Sequence, residues 1–350
     1  MPDAIQIDLD YLTDFLVGLL NTPSPTGYTE AAIDYTEKAL AKFPLELRHT
    51  KKGALVGAWP GAASDAPRAV TAHVDTLGAM VKEIKANGRL KLTKIGGYAW
   101  QTVEGEGVSV LQADGRSVRG TILPVKASVH IHGDDVNKMD RKDEMMEVRL
   151  DAKIKSAAET RALGIEVGDF VAFDPRVETG EAGFVRSRHL DDKACVAIVV
   201  AALKAIDDAG LKPAQTTTIH ISNYEEVGHG GASGFPPDLA ELLTVDMAAV
   251  GEGQNSDEFS VGVCVKDSGG PYHFEMRRKL EQIAKEANIP YKIDIYPFYG
   301  SDGEALWRAG ADVKVGLIGP GVDASHSYER THKDSLEHTA RLVAEYLVRP

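Results

Sequence analysis

From His189 to the C-terminus, segments with helical periodicity alternate with segments of β-branched residues. The long apolar segment DDKACVAIVVAALKAIDD predicts a helix, and TTTIHISNYEE, LLTVDMAAV and DVKVGLIG predict strands. Helices that connect parallel strands cover the faces of their sheet, so this alternation favours a mostly parallel central sheet flanked by helices. We therefore predict an α/β fold.

Residues 79–185 have a different pattern. Short alternating strands and glycine-containing turns predominate, and SAAETRALGI is the one short segment with a helical pattern. This pattern predicts a small inserted β-rich domain, barrel-like or PDZ-like. At 350 residues the chain is long enough for two domains. We expect one discontinuous domain over 1–78 and 186–350, interrupted by the insert.

The charge balance argues against nucleic-acid binding. Acidic residues outnumber basic ones by 52 to 39, the formal net charge is -13, and the chain has no long run of Lys or Arg. The N-terminal segment MPDAIQIDLDYL is acidic where a signal peptide would be basic, and no segment has the length of an apolar membrane span. We expect a soluble cytoplasmic protein with no nucleic-acid or membrane partner.

Polar residues at predicted strand ends are candidates for a site, because open α/β sheets bind ligands at the carboxyl ends of their strands. The strand RAVTAHVD ends in His73 and Asp75, which are two residues apart and therefore on one face. A carboxylate that orients a histidine is typical of metal ligands. A hydrogen-bonded surface pair would give the same pattern.

Three further carboxylates occur where an apolar segment begins or continues. Asp191 and Asp192 precede the long apolar helix, where they could be N-capping residues or ligands. Asp246 lies within an otherwise apolar predicted strand. An unpaired carboxylate there would cost several kcal/mol, so we expect a positive charge to face it.

Glu225 and Glu226 stand side by side between a predicted strand and a glycine cluster. Two neighbouring carboxylates repel each other unless a cation or a shared proton lies between them. One carboxylate could bind a metal ion while the other acts as general base, although an exposed acidic loop would have the same sequence. Late in the chain, His326 and His332 are either ligands or surface histidines.

Taken together, the strand-end residues form a set of two histidines and three carboxylates: His73, Asp191, Glu226, Asp246 and His326. This set suits two divalent zinc-like ions with one aspartate bridging them. Two dications, three carboxylates and one hydroxide sum to zero charge, which would allow the site to be buried.

These motifs resemble those of the tetrahedral and glutamyl aminopeptidases, peptidase family forty-two of the dinuclear zinc metallopeptidases. The matching segments are AHVDTLGAMV, HLDDKA, YEEVGHGGA, VDM and SHSYE. The resemblance implies a phosphorylase/hydrolase-like fold of the zinc-peptidase type, with residues 1–78 and 186–350 as the catalytic domain. It also implies that residues 79–185 serve oligomerisation or substrate access.

The resemblance also implies roles for single residues. Asp191 would bridge two divalent metal ions, with His73 and Asp246 completing one site and Glu226 and His326 the other. The ions would be zinc, with cobalt or manganese as alternatives. Glu225 would be the general base, Asp75 would orient His73, and the Asp191–Asp192 peptide bond would be cis.

The expected activity is that of a metallo-aminopeptidase, which removes N-terminal residues from short peptides by attack of a metal-bound hydroxide with Glu225 as general base. An N-acyl amino acid deacylase could use the same two metal ions. A non-catalytic scaffold is disfavoured because every ligand and base position is present. The resemblance further implies a homo-oligomer, a tetrahedral dodecamer.

Two further motifs suggest other chemistries. The segment Asp267–His273 resembles the nucleophile segment of trypsin-like serine proteases. Such enzymes are β-barrels with disulfides, whereas this chain has long helices and two isolated cysteines, Cys195 and Cys264, in apolar segments. We therefore predict a glycine-rich turn at Asp267–His273 and buried thiols. The pair His130 and His132 fits a metal-binding strand, but contact with a sheet surface or another subunit is the favoured interpretation.

Overall fold

The computed structural model describes residues 5–350. Within this range the α-helices are α1 (Leu9–Leu20), α2 (Glu30–Leu40), α3 (Val129–His132), α4 (Asp135–Lys138), α5 (Ala157–Ala162), α6 (Leu190–Asp208), α7 (Phe274–Glu286), α8 (Asp302–Arg308) and α9 (Lys333–Val348). None of the helices in the described range is both long and apolar enough to span a membrane.

The strands of the first half of the chain are β1 (Glu46–His49), β2 (Leu55–Trp59), β3 (Ala63–His73), β4 (Gly78–Ile84), β5 (Leu90–Ile95), β6 (Gly107–Leu111), β7 (Ser117–Pro124), β8 (Met146–Leu150) and β9 (Phe170–Phe173). Those of the second half are β10 (Glu178–Thr179), β11 (Phe184–Ser187), β12 (Gln215–Ser222), β13 (Glu241–Val245), β14 (Ala248–Val250), β15 (Val261–Lys266), β16 (Tyr291–Ile295), β17 (Lys314–Asp323) and β18 (Glu329–His332).

The larger of two compact units contains the described residues up to Asp75 and Arg176–Pro350. Its 12-stranded sheet has the main order β1-β2-β12-β3-β13-β17-β18-β11-β10. The central strands β12, β3, β13 and β17 are parallel, and antiparallel strands flank them on both sides. The predicted α/β fold with a mostly parallel central sheet is therefore confirmed.

Apolar side chains pack on both faces of this sheet. On one face, α1, α6, α7 and α9 contribute to the main core, and α6 is buried on nearly all sides. A helix of this kind must have apolar residues around its whole circumference, which explains the segment ACVAIVVAALKAI. A second cluster includes Leu306 of α8 and residues of β13 and β17. Both cysteines, Cys195 and Cys264, are buried thiols as predicted.

The smaller unit, Thr76–Pro175, is built on a closed barrel with the strand order β4-β5-β8-β7-β6-β9. Its interior is filled by alternate side chains of these strands, together with Trp100 and Tyr98. The unit ends earlier than the predicted insert, because β11 pairs with β18 in the large sheet and β10 pairs with β11 at the edge of the same sheet. His130 and His132 lie in the short helix α3, and the strand that the motif suggested there is wrong.

Candidate metal centre

The parallel strands bring three of the predicted site segments to one edge of the sheet. His73 is the last residue of β3 and is paired in register with Ser222, the last residue of β12. Glu225 and Glu226 follow β12 in a single 3-10 turn. Asp246 follows β13, which pairs with β3 on the other side. His73, the Glu225–Glu226 pair and Asp246 are distant from one another in the sequence but are neighbours in the structure, because their strands end together.

Two further segments complete the centre. The first turn of α6 carries Asp191 and Asp192, and the peptide bond between them is cis, as the resemblance implied. His326 follows β17, in the connection between β17 and β18. Glu329 of β18 is buried and accepts hydrogen bonds from the backbone N–H of His326 at 3.0 Å and of Asp191 at 3.1 Å. One carboxylate thus holds the two segments together.

The carboxylate of Asp191 lies between the two histidines. Its Oδ1 is 3.4 Å from Nε2 of His73, and its Oδ2 is 3.3 Å from Nε2 of His326. Glu225 Oε2 lies 3.7 Å from the same nitrogen of His73, and Glu226 Oε2 lies 3.6 Å from that of His326. Each histidine therefore faces one oxygen of Asp191 and one glutamate.

Asp75 contacts His73 at Nδ1, the ring nitrogen that does not face Asp191, and it also binds the backbone of the two glutamates. Nδ1 of His73 lies 3.0 Å from the backbone oxygen of Asp75 and 3.4 Å from its Oδ1, so we assign the ring proton to Nδ1 and the lone pair to Nε2. The carboxylate of Asp75 also accepts hydrogen bonds from the backbone N–H groups of Glu225 at 3.1 Å and Glu226 at 3.2 Å. Thr26 Oγ1 donates a further hydrogen bond to it at 2.7 Å.

The donor set fits metal ions. His73, Asp192 and Asp246 are buried and offer ligand atoms that all lie within 4.8 Å of one another. This group contains Asp192 where the predicted ligand set has Asp191. Nε2 of His73, Oδ1 of Asp192 and Oε1 of Glu226 are buried polar atoms without a hydrogen-bond partner. Buried lone pairs of this kind are costly unless a proton or a cation satisfies them.

The pKa values of these groups also indicate that the centre suits metal ions. Burial raises the pKa of Glu226 to about 8 and that of Asp246 to about 7, and the charge of Asp191 adds to both shifts. Burial also raises the pKa of Glu225 well above its ordinary value. For His73, burial alone would lower the pKa, but its contacts with Asp191 and Asp75 raise it well above the usual range. The carboxylates can all be ionised near neutral pH only if positive charge lies among them.

His332 and Ser268, which were the alternative site residues in the sequence, have the following contacts in the structure. Nδ1 of His332 accepts a hydrogen bond from the backbone N–H of Asp334 at 3.1 Å, and its ring packs edge-on against Phe184. The hydroxyl of Ser268 donates a hydrogen bond to the backbone oxygen of Tyr299. Gly269 and Gly270 follow it in the turn before α7, where a glycine-rich turn was predicted.

Two residues of the centre, Glu329 and Asp302, were not predicted from the sequence. Glu329 acts through backbone N–H groups, and its position depends on the return of β18 beside β17. Asp302 at the start of α8 is buried and accepts the backbone N–H of Gly231 at 2.6 Å. It lines a pocket of about 560 Å³ together with four of the five predicted ligands, Asp191, Glu226, Asp246 and His326. In a sequence, an acidic residue at the start of a helix is normally interpreted as an N-cap, so the position of Asp302 in the pocket could not be predicted from its motif.

The sequence matches the model of the M42 glutamyl aminopeptidase family over residues 53–342. This match covers most of the chain, including every residue of the candidate centre. The chain belongs to the M42 family. It is therefore a peptidase, and the family together with the buried His73, Asp192 and Asp246 group indicates the use of divalent metal.

Proteins named as aminopeptidases match over nearly the full length of the chain. A protein of Bacillus subtilis (strain 168), named "Putative aminopeptidase YhfE", is 50% identical over 332 residues, which are 95% of this chain and 96% of that protein. The lysyl aminopeptidase of Pyrococcus furiosus is 23% identical over 342 residues, 94% of each chain. Relatives that carry the name aminopeptidase support aminopeptidase activity for the M42 chain.

Solved structures show the same fold. The TET aminopeptidase from the marine sediment archaeon Thaumarchaeota archaeon SCGC AB-539-E09 superposes with a TM-score of 0.87 at 20% identity, covering 97% of both chains. The TET1 peptidase of Pyrococcus horikoshii gives a TM-score of 0.85 at 20% identity, covering 97% of this chain and 100% of that one. That peptidase can assemble into a tetrahedron or a large octahedral shell.

Proposed function

We propose that this M42 peptidase is a dinuclear-metal aminopeptidase that removes N-terminal residues from short peptides. The observation that carries the proposal is the position of Asp191, whose two oxygens face Nε2 of His73 and Nε2 of His326 at 3.4 and 3.3 Å. A carboxylate placed in this way has one oxygen for each of two cations.

Five residues would hold the ions. His73 and Asp246 would bind one ion, Glu226 and His326 the other, and Asp191 both. Asp192, whose Oδ1 is unpaired, lies close enough to His73 and Asp246 to contribute a carboxylate oxygen to the first site. Zinc suits nitrogen and carboxylate ligands of this kind, and cobalt or manganese are the alternatives. When bound, two such ions lower the pKa of a coordinated water and polarise the scissile carbonyl group.

Glu225 would be the general base. Its carboxylate is partly accessible, with 15% of the side chain exposed, and it faces the His73 side of the centre. Asp75 fixes its backbone, so Oε2 of Glu225 is held where it can accept a proton from the attacking water. The same oxygen would return that proton to the nitrogen of the leaving amine. Asp75 would also keep the His73 ring in the tautomer that binds metal.

A substrate assay separates this activity from that of an N-acyl amino acid deacylase. The purified protein, supplied with zinc, cobalt or manganese in turn, is incubated with aminoacyl p-nitroanilides and with N-acetyl amino acids. We expect metal-dependent release of p-nitroaniline and no hydrolysis of the N-acetyl compounds. Hydrolysis of the N-acetyl amino acids alone would identify a deacylase, and inactivity on both sets with every metal would contradict the proposal.

We also propose a closed homo-oligomer, as in the tetrahedral assembly of the P. horikoshii TET1 peptidase. The smaller unit would then provide contacts between subunits or control substrate access. Light scattering on the purified protein tests this, with a mass close to twelve chains expected and a monomer as the contradicting result. The cytoplasmic location stays a prediction.

A further inference from the structure

The pocket beside the candidate metal centre has two chemically different regions. One contains the carboxylates and His326. The other, called here the apolar wall, consists of Met247, Ala249, Phe298, Tyr299 and Ala305. Apolar side chains therefore line the same pocket as the carboxylates of the centre.

Phe298 is the most informative residue of the apolar wall. It is 98% exposed, and it borders the pocket that contains the candidate ligands. An aromatic ring loses a large hydrophobic contribution when it faces water and recovers it when an apolar group covers it. The ring of Phe298 thus provides contact area for an apolar group that enters the pocket.

The apolar wall is fixed relative to the centre. Met247 follows Asp246 directly in the chain, and the hydroxyl of Tyr299 donates a hydrogen bond to the backbone oxygen of Met247 at 2.8 Å. Tyr299 is also adjacent to Phe298 in the chain. A group held at Asp246 and Glu225 would therefore have the apolar wall on a defined side.

The positive charge of Arg308, which lines the pocket, is paired with the carboxylate of Glu304. Arg308 is the only lysine or arginine among the described residues that line the pocket, and its Nη2 donates a hydrogen bond to Oε2 of Glu304 at 2.6 Å. Glu304 is buried, and burial together with the neighbouring Asp267 raises its pKa to about 7. At pH 8 the ionised carboxylate of Glu304 neutralises the charge of Arg308, so this pair would not attract an acidic side chain.

The two acids of this group are not presented to the pocket either. Asp267 is completely buried and accepts hydrogen bonds from the hydroxyl of Tyr272 at 2.6 Å and from the backbone N–H of Gly269 at 2.9 Å. Glu304 is engaged by Arg308. A lysine or arginine side chain would therefore find both of these acids already paired, and the unpaired Oδ2 of Asp302, which lines the same pocket, is buried.

We propose that the apolar wall binds the side chain of the first residue of the substrate and selects uncharged apolar residues, such as leucine and phenylalanine, over glutamate and lysine. Phe298 supplies the contact, and the pairing of Arg308 with Glu304 removes the attraction for an acidic residue. The inference rests on the proposed aminopeptidase function and specifies its substrate class.

The test compares kcat/KM at pH 8 for leucyl, phenylalanyl, alanyl, glutamyl and lysyl p-nitroanilides. Leucyl and phenylalanyl substrates are expected to exceed the two charged substrates by at least about tenfold, because the contact of an apolar group with its pocket discriminates by about 10- to 200-fold. Phe298→Ala should reduce the leucyl and phenylalanyl values by about tenfold and leave the alanyl value nearly unchanged. The matched control is Phe274→Ala, since Phe274 is 67% exposed and lies outside the pocket.

A second variant tests the charge argument. Glu304→Gln keeps a side chain of the same shape but leaves Arg308 without its negative partner, so the glutamyl substrate should gain about tenfold in kcat/KM while the alanyl substrate reports on folding.

Binding is measured separately on the metal-loaded Glu225→Gln protein, in which leucylglycine should bind at least about tenfold more tightly than glutamylglycine by calorimetry.

The outcomes separate this inference from the proposed function. A wild-type preference for the glutamyl or lysyl substrate overturns the inference and leaves the aminopeptidase function intact. Equal effects of Phe298→Ala and Phe274→Ala overturn the role of Phe298, and an unchanged glutamyl value in Glu304→Gln overturns the role of the ion pair. Failure to cleave any aminoacyl substrate contradicts the proposed function itself.

Discussion

Oε2 of Glu329 accepts a hydrogen bond from the backbone N–H of Asp191 at 3.1 Å. Through its other oxygen, Glu329 holds the backbone N–H of His326 at 3.0 Å. The buried carboxylate of Glu329 therefore positions both Asp191, which faces the two histidines, and His326, which is one of those histidines.

Glu329→Gln should weaken metal binding without unfolding the protein. A glutamine has one oxygen to accept an N–H and presents its NH2 group to the other, so one of the two hydrogen bonds is lost. Removing such a supporting partner typically lowers metal affinity by about 10- to 100-fold. Competition with a chromophoric chelator measures the change. The control is the surface variant Glu286→Gln, which changes an ion pair with Arg349 and a hydrogen bond from Gln282. Equal affinities in the two variants would contradict the role of Glu329.

Glu225 and Glu226 should respond differently to the same substitution, although they are adjacent. Glu225→Gln should retain its metal and lose about 10²- to 10⁴-fold in kcat, the range expected when a general base is removed. Glu226→Gln should lose one metal ion, because its carboxylate is a proposed ligand facing His326. Metal analysis and kinetics on the two purified variants distinguish these effects. Near-normal turnover of Glu225→Gln would remove Glu225 from the base role.

Asp75→Asn should affect both catalysis and metal binding. The carboxylate accepts the backbone N–H groups of Glu225 and Glu226 and lies beside Nδ1 of His73, and an amide cannot accept on both sides. We expect kcat to fall and metal affinity to weaken by about 10- to 100-fold. Thr26→Val removes only one hydrogen bond to Asp75 and should have a smaller effect on both quantities. A larger effect of Thr26→Val would contradict this assignment.

His220 should make the metal-free protein less stable in acid. It is fully buried, its Nδ1 lies 3.0 Å from Oγ1 of Thr71, and burial lowers its pKa to about 3. The unfolded chain binds a proton near pH 6.5 and the folded chain does not, so the contribution of neutral His220 is complete above that pH and declines as the pH falls towards 3.

The comparison protein for this effect is His220→Gln. Urea unfolding in the presence of a chelator should show that the unfolding free energy of the wild type falls between pH 6 and pH 4 by about 1.4 kcal/mol per pH unit more than that of the variant. The variant has its own baseline stability, so only the slopes are compared. Parallel slopes would show that His220 does not titrate on unfolding.

The positions of the ligand candidates could be predicted because they follow parallel strands. His73, Glu225, Glu226 and Asp246 each end or follow a strand of the central sheet, and this register brings them together regardless of their distance in sequence. Asp246 itself was predicted within a strand, whereas β13 ends at Val245. The gap before β14 allows the Asp246 side chain to turn into the centre.

Other features depend on contacts that a local pattern does not reveal. Glu329 binds backbone groups of segments that are distant in the chain, so nothing in SHSYERTH distinguishes it from a surface acid. The four residues VHIH alternate as a strand would, yet they form a helical turn, because a pattern this short fits both. Residues 176–185 have the sequence pattern of the insert, but they join the large sheet because β11 pairs with β18 and β10 pairs with β11.

An anomalous-difference map of a crystal grown with zinc, recorded on both sides of the zinc absorption edge, tests the central claim most directly. We expect two peaks per chain, one on each side of the Asp191 carboxylate, the first beside His73 and the second beside His326. A map with no peak at Asp191, or with a single peak that touches only one of the two histidines, would contradict it.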